Sequence, residues 1–247
     1  MAVVGSGSQG VVSRVCKGVV KKTIDTYDDY VRETKMLAYL KGLPCIVEVV
    51  STCTAERSIS MQDGGAALHD VRKQFNGEKW PKAHTQIVSA VSHLHARNVM
   101  HGDIKLQNVL VDDHGRIRLC DFGHSRYMTD EECEKSTLRA TRGTPAYACP
   151  EIMNGETYNG FDADAWAVGV VLYAIAFGVF PFPKAKRGVR QYEAFLHRVT
   201  KCDMEPTAAL LEMWSHSIPR MGKIATLCFQ QNLDQLLHPH PEQRIHF

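Results

Sequence analysis

The stretch His101-Gly102-Asp103-Ile104-Lys105-Leu106-Gln107-Asn108-Val109-Leu110 is followed shortly by Asp121-Phe122-Gly123. Together they put two carboxylates, a lysine and an asparagine on two closely spaced turns flanked by strand-like residues. Such a set suits phosphoryl transfer, which asks little covalent chemistry of a protein. The reaction needs a carboxylate to orient the attacking hydroxyl, ligands for metal and phosphates, and cations to absorb charge spreading over the phosphoryl oxygens. Asp103 suits the first task, Asn108 and Asp121 the second, and Lys105 part of the third. The competing reading is a chance pair of turns rich in Asp and Gly.

These residues need elements to hold them. Gly5-Ser6-Gly7-Ser8-Gln9-Gly10, with Val12 just behind, opens the chain. G-x-G-x-x-G alone is a weak signal, because dinucleotide-binding folds use it too. Such a fold needs a helix directly after the glycines, whereas Val11-Val12-Ser13-Arg14-Val15-Cys16 is β-branched and reads as a strand. Lys17-Gly18 makes a turn and Val19-Val20-Lys21-Lys22 begins a second strand. Thr26 to Leu40 reads as a helix carrying Glu33, with Asp28 or Asp29 near its start. Ile46 to Val50 and Arg57 to Met61 read as further strands, and Asp63-Gly64-Gly65 as a break. A helix from Pro81 to Ala96, with Ala83, Ile87, Val91 and Leu94 on one face, leads into the loop of Asp103. A turn at Gly115 and a strand from Arg116 to Cys120 deliver Asp121.

Composition narrows the class. The chain has 247 residues, 23% charged and 44% hydrophobic, enough for a substantial core in one large domain or two lobes. A net charge of +2 gives no electrostatic case for a dedicated nucleic-acid binder. Eight cysteines lie scattered without metal-like or C-x-x-C spacing, which fits reduced thiols. No signal peptide is visible, so the expectation is a cytoplasmic or nuclear protein. Ala165 to Phe180 carries no charge but is short for a membrane span, contains Gly169 and Gly178, and is closed by Pro181 and Pro183. It reads as a helix buried inside a large domain, with no membrane partner.

At His101-Gly102-Asp103 and Asp121-Phe122-Gly123 the chain resembles a eukaryotic protein kinase, whose signature is H-R-D-L-x-x-x-N followed by D-F-G. The resemblance continues through Gly143-Thr144-Pro145-Ala146-Tyr147-Ala148-Cys149-Pro150-Glu151, Asp164-Ala165-Trp166-Ala167-Val168-Gly169 and His240-Pro241-Glu242-Gln243-Arg244. A weaker resemblance, to the SH3-binding-domain kinase branch, rests on Gly178 to Phe182, Tyr192 to Leu196 and the helical stretch before His238. The resemblance implies an α+β, two-lobed fold: residues 1–63 as a small β-rich lobe with one main helix, and 64–247 as hinge and helical lobe. It implies ATP and Mg2+ as cofactors and proteins bearing Ser or Thr as substrates. Gly5, Ser6, Gly7, Ser8, Gln9, Gly10 and Val12 would cover the nucleotide. The strand lysine that grips the phosphates maps best to Lys21, held by Glu33, with Lys22 on the opposite face as the rival. Asn108 and Asp121 would hold magnesium, Asp103 would orient the acceptor hydroxyl, and Lys105 would steady the γ-phosphate. Lys105 and Thr144 are the Ser/Thr-type choices. Asp164, read as capping the buried helix, would tie it to the loop of Asp103, and Arg244 would pair with Glu151.

One departure matters. Gly102 stands where the family usually has arginine, which commonly pairs with a phosphorylated activation-loop residue. Glycine offers no such partner, so activity without phosphate on Thr137 or Thr141 is expected, with Arg126, Arg139 and Arg142 as partial substitutes. The alternative function is a catalytically weak or dead pseudokinase acting as a scaffold.

Overall fold

The computed structural model describes residues 2–7, 10–72, 79–139, 144–214, 223–245 and 247. The first third folds into an antiparallel sheet: β1 (Ala2–Gly7), β2 (Gly10–Cys16) and β3 (Val19–Ile24), then α1 (Tyr27–Tyr39), β4 (Val49–Cys53) and β5 (Ser58–Gln62). Spatial order is β1-β2-β3-β5-β4. Thr26 caps α1, its hydroxyl accepting the Asp29 amide, while Asp28 and Asp29 sit favourably at the positive end of the helix dipole. The expected strand at Ile46 to Val50 begins later. Val49 starts β4, while Ile46 forms an isolated parallel bridge with Leu119. Around that bridge the Leu119 amide donates to Cys45 at 2.8 Å and the Val47 amide donates to Leu119 at 3.1 Å.

After Gly65 the chain turns helical. Short β6 (Ala66–Ala67) and α2 (Leu68–Val71) precede α3 (Lys79–His95), and β7 (Val99–Met100) leads into the Asp103 loop. Next come β8 (Val109–Val111), β9 (Ile117–Leu119), β10 (Arg126–Tyr127), α4 (Asp130–Glu134) and α5 (Pro150–Asn154). The last helices are α6 (Gly160–Phe177), α7 (Arg190–Lys201), α8 (Pro206–Trp214) and α9 (Lys223–Leu236). β6, β8 and β9 form one small sheet and β10 pairs with β7 in another. The molecule therefore has a small, sheet-rich lobe with one principal helix and a larger helical lobe, as expected.

The uncharged run is the centre of the large lobe. α6 is long and apolar enough to cross a membrane by composition, yet 83% of it is buried inside the protein. Trp166, Val168, Val170, Val171, Leu172 and Tyr173 have no exposed surface. The helix starts before the uncharged run, with Asn159 as its cap, and ends at Gly178, whose φ of 72° is left-handed. Asp164 is thus not the cap but lies one turn inside, where its carboxylate is free to face another element.

Candidate active site

Asp164 organises the loop that carries Asp103. Its oxygens accept the backbone amides of His101 (2.7 Å) and Gly102 (3.0 Å), and His95 Nε2 lies 3.1 Å away. A buried carboxylate is costly unless it is hydrogen-bonded, so these partners fix the loop on α6. His95, stacked on Phe161 at 4.3 Å between ring centroids, had no recognisable sequence signal. His101 is fully buried; its Nδ1 accepts the Asp103 amide at 3.3 Å and its Nε2 donates to the Cys120 carbonyl at 3.2 Å. The two partners set one neutral tautomer and link the Asp103 loop to the strand that ends before Asp121.

Within the loop, Lys105 Nζ lies 2.5 Å from Asp103 Oδ2. Asn108 Nδ2 donates to the Asp103 carbonyl (2.9 Å) and to its Oδ2 (3.1 Å). That orientation turns the Asn108 amide oxygen away from Asp103 and leaves it available to a hard cation. Thr144 lines a cavity of about 50 Å3 together with Asp103, but makes no hydrogen bond to Asp103 or Lys105 among the described residues.

The lysine register needs correction. Lys22, not Lys21, reaches Glu33: its Nζ lies 2.8 and 2.7 Å from the two carboxylate oxygens, and 2.8 Å from Asp121 Oδ1. Lys21 points to the other face of β3 and pairs with exposed Glu56 at 3.1 Å. The signal was present in the alternation. Val20 and Ile24 pack on the core side of the strand, so Lys22 between them must share that side. Val12 is the direct cross-strand partner of Lys22 and therefore projects from the same face of the sheet.

Burial alone would favour neutral Lys22, but Glu33 and Asp121 hold its pKa above the ordinary value. Burial likewise pushes Asp121 upward, yet Lys22 outweighs it and the carboxyl sits below its usual range. Glu33 is the more deeply buried carboxylate, and desolvation raises it despite Lys22. Two lysines thus meet three carboxylates across the cleft. A divalent cation would reverse that net negative charge and suit the site to phosphates.

Of the expected glycine-loop residues, Gly5 and Gly7 lie in β1, Gly10 and Val12 in β2, and Gly7 pairs with Gly10 across the strands. Ser8 and Gln9 lie outside the described residues, as does the Ser6 side chain. Arg244 and Glu151 meet as expected, bidentate at 2.9 and 2.7 Å and almost fully buried, with the guanidinium 5.1 Å from the Trp166 ring centroid.

Comparison with known proteins adds an independent line. The family model described as "Protein kinase domain" matches residues 1–247. The chain is 31% identical over 173 residues to the SNF1-like protein kinase ssp2 of Schizosaccharomyces pombe, covering 67% of this chain and 29% of that protein. It is 34% identical over 161 residues to CBL-interacting protein kinase 10 of Oryza sativa, covering 62% and 35%. It is 46% identical over 98 residues to human NUAK family SNF1-like kinase 1, covering 39% and 14%. The chain thus spans about a third or less of the length of these relatives.

Proposed function

Since the chain belongs to the protein kinase domain family, we propose that it transfers the γ-phosphoryl group of ATP to serine or threonine hydroxyls of proteins, with Mg2+. One observation carries this reading. Lys22, Glu33 and Asp121 form a continuous ionic chain beside the Asp103–Lys105–Asn108 cluster. Asp121 and the Asn108 amide oxygen fit magnesium, which takes hard oxygens and commonly keeps few protein ligands. Bound magnesium supplies neutralisation of phosphate charge. Lys22 then turns from Asp121 toward the α- and β-phosphates, kept in place by Glu33. Asp103 accepts a hydrogen bond from the acceptor hydroxyl, and Lys105, already beside it, steadies the transferring group. The glycine strands β1 and β2 cover the nucleotide. Residues 1–63 serve as the nucleotide-covering lobe and 64–247 as the platform for the protein substrate.

A scaffold without catalysis is disfavoured, because it has no need of Lys22, Asp103, Asn108 and Asp121 together. The described cysteines are free thiols, which supports a reducing compartment, cytoplasm or nucleus. Labelled ATP and a protein acceptor test the reading directly. Asp121→Ala is expected to abolish transfer, and Asp103→Ala to remove most of it while ATP binding persists. Undiminished transfer in both variants overturns the proposal. The product should be phosphoserine or phosphothreonine with little phosphotyrosine.

A further inference from the structure

Lys184, Lys186, Arg187 and Arg190 crowd the short connection from α6 into α7, and all four are exposed. The connection is not a loose charged loop. Ala185 is 2% exposed, so the backbone is pressed onto the lobe and the lysines on either side face water. The Arg187 amide donates to Asn154 Oδ1 at 3.1 Å, the Val189 amide to the Lys186 carbonyl at 3.1 Å, and the Gly188 amide to Glu193 Oε1 at 2.8 Å. These bonds hold like charges close together.

That placement runs against local stability. α7 begins at Arg190, and cations there face the positive end of the helix dipole, where acids are favoured. Among the described residues, Glu156 pairs with Arg187 at 3.7 Å and Glu193 bonds to the Gly188 amide, whereas Lys184, Lys186 and Arg190 form no ion pair.

The connection starts beside the catalytic loop. Val179 and Phe180 open it, both exposed, and the Phe180 ring meets Tyr147 edge on, 5.3 Å between centroids. Tyr147 lines a cavity together with Asp103, and its hydroxyl accepts the Leu106 amide at 3.3 Å. Trp214, also exposed, joins them by donating to the Pro181 carbonyl at 2.9 Å. A strip of exposed apolar side chains thus leads from the Asp103 loop to the basic run, and an apolar patch rimmed by charge marks a recognition surface.

We propose that Lys184, Lys186 and Arg190 bind acidic side chains of the protein substrate, so that the enzyme favours serine or threonine flanked by glutamate or aspartate. The proposal rests on the phosphotransfer reading and adds a substrate class to it. Arg187 keeps Glu156 and is not counted among the three. Nucleic acid is the poorer occupant, because the chain carries a net charge of only +2 and the basic run adjoins the place where a protein hydroxyl is to receive phosphate.

The test uses the whole chain, labelled ATP and peptides with one serine flanked on both sides by glutamates, glutamines or lysines. One exposed ion pair adds little, so the three cations must act together. The glutamate peptide should exceed the glutamine peptide about tenfold in kcat/KM, mainly through KM, and high salt should shrink the difference. Lys184→Glu combined with Lys186→Glu should erase that preference, whereas a structural fault would lower all three peptides alike. Lys201→Glu, a charge reversal at the far end of α7, should preserve it. Equal kcat/KM for the three peptides, a preference for lysine, or equal loss with Lys201→Glu overturns the proposal while leaving phosphotransfer standing. If no peptide is phosphorylated, the phosphotransfer reading fails. Anisotropy of fluorescein-labelled peptides then decides the site: saturable binding of the glutamate peptide, weakened about tenfold by the double variant, upholds it, and its absence overturns it. A labelled oligonucleotide that binds through the same lysines more tightly than the glutamate peptide makes the occupant a nucleic acid and overturns the peptide reading.

Discussion

Lys22 Nζ stands 2.8 Å from Asp121 Oδ1, so a lysine from the sheet lobe is bonded to a carboxylate of the helical lobe. The same ammonium holds Glu33 at 2.7 Å, with only 8% of the lysine side chain exposed. One cation therefore reports on the closure of two lobes and the placement of α1 at once.

The register of β3 is open to direct measurement. Lys22→Met should lower kcat/KM for ATP by about a hundredfold or more, whereas Lys21→Met should stay within about threefold, as expected for an exposed ion pair. A larger loss at Lys21 would return the catalytic role to that residue. Intact folding of both variants, checked by circular dichroism, separates chemistry from stability.

Gly102 is constrained by the backbone as well as lacking a side chain. Its φ is 78°, and a Cβ there would meet the His124 carbonyl oxygen at 2.7 Å. Gly102→Arg should therefore lower unfolding stability by about 1–3 kcal/mol rather than install phosphate dependence. Meanwhile the segment is held by packing. Met128, Leu138 and Tyr158 bury with Met100, and Leu138 forms a backbone bridge with Tyr158. Alanine at exposed Thr137 should leave turnover within about twofold in dephosphorylated protein; a tenfold fall would show a phosphate switch.

Arg244 and Glu151 bury opposite charges together beside Trp166. Arg244→Met leaves the carboxylate without its partner and should cost about 3–5 kcal/mol in urea unfolding. The double variant with Glu151→Gln should recover part of that loss. Losses that simply add in the double variant would mean that the pair is not coupled.

His84 accepts from Asn232 Nδ2 at 2.9 Å, and burial lowers its pKa from 6.5 to about 4. Between those values the unfolded chain binds the proton and the folded chain does not. Stability is therefore full above about pH 6.5 and falls as pH drops toward 4, by at most about 3 kcal/mol. Thermal unfolding across that range should show a shallower acid slope in His84→Gln.

Much of this was legible in the sequence because the relevant chemistry is local. Asp103, Lys105 and Asn108 lie within six consecutive residues, and a short loop suffices to bring their side chains together. The lysine register was harder, since a one-residue shift in a strand reverses its faces and Lys21-Lys22 offers a cation either way. Asp164 was read as a cap because the uncharged run seemed to start the helix; the actual cap, Asn159, precedes it by more than a turn.

The bridge between Ile46 and Leu119 sets the mechanics of α1. Just beyond its C-terminal end, the chain is stitched by two backbone hydrogen bonds to the strand that runs into Asp121. The helix is thus a lever mounted on the floor of the cleft: it can tilt about its rear end but cannot slide away. Glu33 lies seven residues ahead of Leu40, a lever arm of about 10 Å at 1.5 Å per residue. A tilt of about ten degrees moves Glu33 by about 2 Å, enough to part it from Lys22, so a small rotation at one end disconnects the ionic chain at the other.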